Sequence, residues 1–280
     1  MKNSKACGLD QISSVLIKPV IEAIAPAFTV LINSSLAEGI FPEIFKIAKV
    51  VCIYKGRGSK KEKSSYRPVS NLSLIGKCIE IAVEMQLSEY CEKYNVLGIH
   101  QHGFRKARSS STALLTAVTR WRAERRNNKV QGVLLMDLSA AYDVLSPEIF
   151  IRKAEALKFD KNVLNWFRSY LSGRSQVVEV GSAVSERLWT RVGTPQGSPL
   201  SCLIFAIYVG DFTMWVDKYK DSLPLAYADD TFVTLWAETE ADLIVKLQEV
   251  GNDILTFFAS NELIANAEKT GLLIIRPKKS

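Results

Sequence analysis

Three acidic residues are the natural centre of any chemistry in this sequence. Asp229 and Asp230 are adjacent, preceded by Tyr227-Ala228 and followed by Thr231-Phe232-Val233, at the tip of an otherwise apolar hairpin pattern. Carboxylates in such a place are costly unless water or a cation takes them up. Aspartate is also a common turn residue, and taken alone the pair reads as a type I′ turn. Asp137 changes that balance, because it ends a second apolar strand pattern, Gln131 to Met136. If the two strands are neighbours in one sheet, Asp137 and Asp229 project together. An all-oxygen cluster of this kind suits Mg²⁺, which takes one or two carboxylates together with substrate phosphates. Two such ions, about 3.5–4 Å apart, stabilise the attacking and leaving oxygens of an in-line displacement. The chemistry indicated is phosphoryl transfer by positioning and charge neutralisation.

The elements that must position these residues follow from periodicity and punctuation. Residues 12–36 have helical spacing interrupted by prolines, and Lys49 to Ile53 reads as a strand. Gly56 to Ser65 is a basic loop. Leu74 to Tyr90 places Ile75, Cys78, Ile79, Ala82, Met85 and Leu87 near one helical face. Ser110 to Arg126 is a further helix. Ser146-Pro147 starts another, and Asp160 caps one that Gly173 closes. Arg174 to Val180 and Arg187 to Val192 form a hairpin, and Pro199 to Val209 an apolar helix. Leu225 to Leu235 is a strand pair bent at the two aspartates. Asp242 to Phe258 is an amphipathic helix burying Leu243, Leu247, Val250, Ile254 and Phe258, and Leu272 to Ile275 is a last strand. Helices and strands alternate irregularly, so the expected class is α+β, not a Rossmann sheet.

Composition narrows the partners. The 280 residues are 48% hydrophobic and 23% charged, the balance of a folded chain, with a net charge of +7. From Lys46 to Arg67 eight basic residues face only Glu62, a local net of +7, and from Arg105 to Lys129 eight face only Glu124, again +7. Such segregation favours a phosphate-backbone surface over scattered solvated charge. Five cysteines without a C-x-x-C pair argue against a disulfide framework or zinc ribbon and fit a reducing compartment. His100 and His102 read as a structural or solvated pair, not metal ligands. The apolar stretch from Ile12 to Ile32 is broken by Lys18, Pro19, Glu22 and Pro26, so no membrane span is expected.

Taken in order, these stretches resemble the motifs of reverse transcriptases. Asp137-Leu138-Ser139-Ala140-Ala141-Tyr142-Asp143 resembles their first catalytic motif, and Tyr227-Ala228-Asp229-Asp230 their Y/F-x-D-D box. Gly193-Thr194-Pro195-Gln196-Gly197-Ser198-Pro199-Leu200-Ser201 resembles the motif between them. Tyr66-Arg67-Pro68-Val69-Ser70 and Gln101-His102-Gly103-Phe104-Arg105-Lys106 look like fingers motifs of non-LTR (LINE-type) retrotransposon enzymes of the jockey or CR1 kind. Phe41-Pro42 with Lys46-Ile47-Ala48 looks like an upstream extension, and Asn266-Ala267-Glu268-Lys269-Thr270 like the following palm motif. Group II intron enzymes share some of these.

The resemblance implies a right-hand polymerase architecture: a fingers-like basic region over 1–130, and a palm over 131–280 built as an antiparallel sheet backed by helices. It implies an RNA-directed DNA polymerase using two Mg²⁺ ions (Mn²⁺ as substitute), deoxynucleoside triphosphates, an RNA template and a DNA primer. Asp137 and Asp229 are then direct metal ligands, Asp230 supports them, and the Leu138 carbonyl completes a shell. Tyr142 stands where the family places an aromatic gate against the ribose 2′-hydroxyl, with core packing as the rival role. Arg67 and Lys55 meet the triphosphate, though Lys60, Lys61 and Lys63 compete with Lys55. Gln196 and Gly197 position template and nucleotide, or simply make a turn. Lys269 is a candidate general acid toward pyrophosphate, or a surface lysine. Arg105, Lys106 and Arg108 are candidates for template-backbone contacts, or solvated. The expectation includes a longer polyprotein supplying the thumb and endonuclease missing here, no membrane partner, and an intracellular site in nucleus and cytoplasm. The alternative function is a truncated, inactive remnant that binds nucleic acid.

Overall fold

The computed structural model describes residues 6–277. In chain order the elements are α1 (Ser14–Ile17), α2 (Ile21–Glu38), β1 (Ile47–Tyr54), β2 (Tyr66–Asn71), α3 (Leu74–Lys93), α4 (Ser110–Arg126), β3 (Val130–Met136), α5 (Pro147–Ala156), α6 (Lys161–Leu171), β4 (Arg174–Val180), β5 (Ala183–Val184), β6 (Leu188–Thr190), α7 (Ser201–Tyr208), α8 (Gly210–Val216), β7 (Ser222–Tyr227), β8 (Asp230–Ala237), α9 (Glu240–Ser260) and β9 (Gly271–Ile275). They pack as two compact units that interleave along the chain, 1–87 with 147–201 and 88–146 with 202–280. Packing therefore draws its boundaries elsewhere than the sequence division at 130/131.

In the first unit the sheet order is β2-β1-β4-β5, with β6 also on β4. β1 and β2 are antiparallel, whereas β1 and β4 run parallel with Lys49 opposite Val177. An aromatic cluster fixes the helices: Phe41 meets Trp166 and Tyr170 edge-on at 5.7 and 5.1 Å, and Trp166 stacks on Tyr170 at 5.2 Å. Asp160 caps α6 by accepting from the Asn162 amide at 2.8 Å. The end of α2 docks on α6, where Asn162 Nδ2 donates to the Leu36 carbonyl and Trp166 Nε1 to Ser35 Oγ.

Two expectations need correcting in this unit. The stretch Ser14–Glu38 is, by length and composition, long and apolar enough to cross a membrane. Lys18 and Pro19 fall where α1 gives way to α2, and Pro26 is accommodated inside α2, so the supposed breaks leave a long apolar helix. On α3, Met85 is 59% exposed while Ile79, Val83 and Leu87 are buried. Glu80 lies beside Ile79 on that buried face.

The second unit is an antiparallel sheet, order β7-β8-β3-β9. α9 packs on β8 and β3, burying Leu243, Leu247, Val250, Ile254 and Phe258 as its spacing predicts. α4 starts with a capping box, Ser109 with Thr112. Trp121 on α4 donates through Nε1 to Thr234 Oγ1 on β8, and Gln131 donates to the Trp121 carbonyl. The apolar helix expected over 199–209 is α7, and a second helix, α8, follows beyond Val209, whose non-helical backbone separates the two. Asp211 and Thr213 interrupt the apolar pattern of α8, so the sequence reading stops short of it.

Candidate active site

β3 and β8 are neighbours in one sheet, with Met136 opposite Thr231. Asp137 follows Met136 directly. On the other side, Tyr227 pairs with Asp230 across the β7–β8 hairpin, leaving Ala228 and Asp229 as the turn. Asp137 and the acidic turn thus lie at the same end of adjacent strands. Ala228 has φ +61°, while Asp229 is not in the left-handed range, so the turn is not the type I′ form that the acidic pair suggested. A non-glycine residue held there costs on the order of 1–3 kcal/mol, which neighbouring structure must offset.

That support comes from His100 to Gly103, which runs beside β7. The Ala226 amide donates to the His100 carbonyl at 3.0 Å and the His102 amide to the Ala226 carbonyl at 2.8 Å. Gln101 Oε1 accepts from the Gly103 amide at 2.9 Å. Gly103 lies so close to the turn that a Cβ would overlap the Ala228 backbone nitrogen. This scaffold role was not legible from the motif alone; the glycine following Gln-His was its only trace. His102 Nδ1 meets Thr112 Oγ1 at 2.9 Å and His100 Nε2 meets Asp217 at 3.3 Å, so the pair is structural, as expected.

The charges around the turn interact. Burial raises the Asp229 carboxyl above its ordinary range, and the Asp230 and Asp137 charges raise it further. Its own backbone amide and Lys269 pull the other way. Lys269 Nζ donates to Asp137 Oδ2 at 2.9 Å, and the Asn266 amide donates to the Asp137 carbonyl at 2.8 Å. β9 pairs with β3, which brings the Asn266 to Thr270 turn alongside Asp137. Leu138 is buried and bridged to Ala265. Tyr142 packs on Phe205 with ring centroids 4.9 Å apart. Its phenol is pushed up chiefly by burial, with smaller contributions from Cys202, Asp229 and Asp230. The aromatic ring therefore has both a packing partner and the acidic turn in electrostatic reach.

Gln196, Gly197, Arg67 and Lys55 belong to the other unit. There the Ser70 amide on β2 donates to the Gln196 carbonyl at 3.0 Å. Gly197 has φ +107°, and a Cβ on it would stand 2.7 Å from the Ser70 carbonyl oxygen. Only glycine tolerates both conditions. Arg67 is exposed on β2 opposite Ile53, and Lys55 Nζ donates to the Ser64 carbonyl at 2.8 Å.

The basic clusters are partly spent on structure. Arg105 makes a two-pronged pair with Glu92, Nε to Oε1 at 2.8 Å and Nη2 to Oε2 at 2.7 Å, and also donates to the Gly98 and Gln101 carbonyls. Its guanidinium holds a loop and is not turned to solvent as a phosphate contact requires. Arg108 donates to the Ile99 and Gln101 carbonyls, while Lys106 is exposed. Lys46 is buried against Glu43, and Lys49 pairs with Glu179. Lys55, Arg57, Lys60, Lys61, Lys63 and Arg67 remain exposed.

Residues 59–278 match the family described as reverse transcriptase (RNA-dependent DNA polymerase). The chain belongs to that family. Its curated relatives are of the non-LTR kind. They include a probable RNA-directed DNA polymerase from transposon X-element of Drosophila melanogaster, 26% identical over 88% of this chain and 27% of that protein. The RNA-directed DNA polymerase from mobile element jockey of Drosophila melanogaster is 27% identical over 95% of this chain and 29% of that protein. The chain thus spans somewhat over a quarter of the length of these reverse transcriptases. Among solved structures, apo telomerase from Candida tropicalis truncated from its C-terminal domain aligns with a TM-score of 0.57 at 13% identity, covering 86% of this chain and 52% of that one. Telomerase from Candida albicans, in complex with a TWJ fragment of telomeric RNA, gives the same TM-score at 16% identity over 82% of this chain and 43% of that one. The fold is the α+β right-hand polymerase class.

Proposed function

We propose that the chain carries the nucleotidyl-transfer core of an RNA-directed DNA polymerase, adding deoxynucleotides to a primer 3′ end on an RNA template. The observation that carries this is the meeting of Asp137 with Asp229 and Asp230 at adjacent strand ends, where the mutual charge of the acids is felt at Asp229. Residues 1–130 would serve as the basic fingers-like region and 131–280 as the palm.

The family normally uses divalent metal ions. Among the described residues, no three of His, Cys, Asp and Glu gather tightly enough to hold such an ion by themselves. The donors present nevertheless fit Mg²⁺ or Mn²⁺: they are hard carboxylate oxygens, few in number, and Mg²⁺ completes its shell with water and substrate phosphates. Asp137 and Asp229 would hold the two ions, with Asp230 and the Leu138 carbonyl in support. When bound, the ions supply charge neutralisation for the phosphates. The protein's own groups do the rest. Tyr142 limits space at the sugar, Arg67 and Lys55 hold the triphosphate, and Gln196 with Gly197 sets the templating face. Lys269 stands ready to donate a proton to departing pyrophosphate, and its bond to Asp137 keeps it at the acidic turn. Lys106, the exposed member of its cluster, would meet the template backbone. The RNA template, the primer and further segments of a longer polyprotein are the implied partners, and a nuclear and cytoplasmic location follows from those substrates.

Primer extension on an RNA template with Mg²⁺ tests the reading. Asp229→Asn should lower extension at least about a hundredfold, the weight of several kcal/mol of lost charge stabilisation, with RNA affinity retained. Extension unaffected by Asp229→Asn sinks the assignment. Salt-sensitive RNA binding with no Mg²⁺-dependent synthesis by the unaltered chain would point instead to a binding remnant.

A further inference from the structure

Beneath the Gln196-Gly197 loop lies a buried polar network that the proposed chemistry does not use. Glu80 on α3 is 1% exposed, and Tyr170, Arg174 and Ser198 are all buried around it. Burial raises the Glu80 carboxyl above its ordinary range, and the Arg174 charge, the Ser198 hydroxyl, the Lys77 charge and the Tyr170 hydroxyl pull it back. Tyr170 and Ser198 share a hydroxyl–hydroxyl bond of 2.9 Å. Arg174 Nη1 donates to the Tyr170 carbonyl at 2.9 Å, and its guanidinium lies over the Tyr170 and Phe41 rings at 4.8 and 5.7 Å. Ser198 Oγ also accepts from the Leu200 amide at 3.1 Å.

The network is a poor device for stability alone. Glu80 Oε2 and Arg174 Nη2 have no hydrogen-bond partner among the described residues. Buried ionisable groups with incomplete bonding gain little over an apolar filling of the same volume. Its geometry, however, ends on one residue of one loop. Ser198 is the residue after Gly197, and the other side of that loop is tied to β2 by the bond from Ser70 to the Gln196 carbonyl. The loop is thereby held from both sides.

We propose that Tyr170 is a positioning residue: through its hydroxyl bond to Ser198 it fixes the Gln196-Gly197 loop against β2, in the shape that receives the nucleotide and template. The last clause rests on the functional reading above; the mechanical link does not. Two variants separate the possibilities. Ser198→Ala cuts the link and leaves the Tyr170 ring in place. Tyr170→Phe removes only the hydroxyl and keeps the ring against Phe41, Trp166 and Arg174. In the full chain, hydrogen exchange at the Ser70 amide should quicken about tenfold in each, the equilibrium weight of one net hydrogen bond. The double variant should be no worse than either single one, because both cut the same link. The KM for deoxynucleotide should rise by a similar factor with kcat little changed, a split that general destabilisation would not give. Unchanged Ser70 exchange in folded variants overturns the inference, whatever the activity. So does loss of the fold in both variants, which would make the network a support of the whole unit. Quickened exchange with unchanged KM upholds the link and removes the loop from nucleotide binding.

Discussion

Asp229 shows what a single side chain reveals and conceals. Its neighbour Asp230 and the strand pattern before Asp137 were enough to expect three acids at one end of a sheet, because strand alternation and strand ends are local properties. Tyr142 was legible only as an alternative between gate and core, and the structure gives it both surroundings: Phe205 on its ring and the acidic turn in electrostatic range. Tyr142→Ala should raise ribonucleotide incorporation relative to deoxyribonucleotide, and cost about 2–4 kcal/mol of stability through the cavity left against Phe205. Tyr142→Phe should do neither. Sugar selectivity that stays constant in the alanine variant removes the gate. Arg105 and Glu80 were not legible. A run of basic residues does not show that one of them is held two-pronged by Glu92, thirteen positions earlier. A lone glutamate in a helical pattern reads as solvent-facing until its neighbours from α6 and β4 are known.

At the level of elements, the acidic turn is only as well placed as the segment beneath it. Gly103→Ala should push the Ala228 backbone, lower extension at least about tenfold and cost about 1–3 kcal/mol, as overpacking at a backbone contact does. Normal activity in that variant would show the turn to be free of its support. The same segment carries a pH dependence. Burial holds both His100 and His102 below the ordinary histidine value, and Arg108 adds to the effect; Asp217 partly offsets it at His100. The unfolded chain then binds more protons than the folded one from the ordinary value of 6.5 down to the folded pKa values. Stability is full above that window and falls as the pH drops through it, by at most about 1.4 kcal/mol per pH unit for each histidine. Thermal melts from pH 7.5 to 5 should show the loss, and a His100→Gln/His102→Gln double variant should flatten it. An equal slope in that variant refutes the assignment. The strands and most helices were readable because their periods are short. β2 was visible only as a motif, since Pro68 and the polar ends disguise a strand, and α8 was missed because Asp211 and Thr213 interrupt its apolar pattern.

For the molecule as a whole, the charge segregation seen in the sequence survives mainly in the exposed loop between β1 and β2. RNA affinity should fall with salt, and replacing Lys60, Lys61 and Lys63 by glutamine should lower the slope of log K against log salt by at least about 0.7, the share of one phosphate contact on a single strand. An unaltered slope would mark the three lysines as solvated only. The second cluster contributes less than its charge suggests, because Arg105, Arg108 and Lys129 are engaged with their own chain.

The interleaved order of the two units has a consequence during synthesis. When the first 146 residues have left the ribosome, each unit still lacks a substantial part: β1 awaits β4, and β3 awaits β8 and β9. Pairings this distant along the chain slow folding. The first body closes once β4 to β6 and the segment to residue 201 have emerged, but the second must carry an open β3 until β8 and β9 follow, a period in which a chaperone would find its natural task.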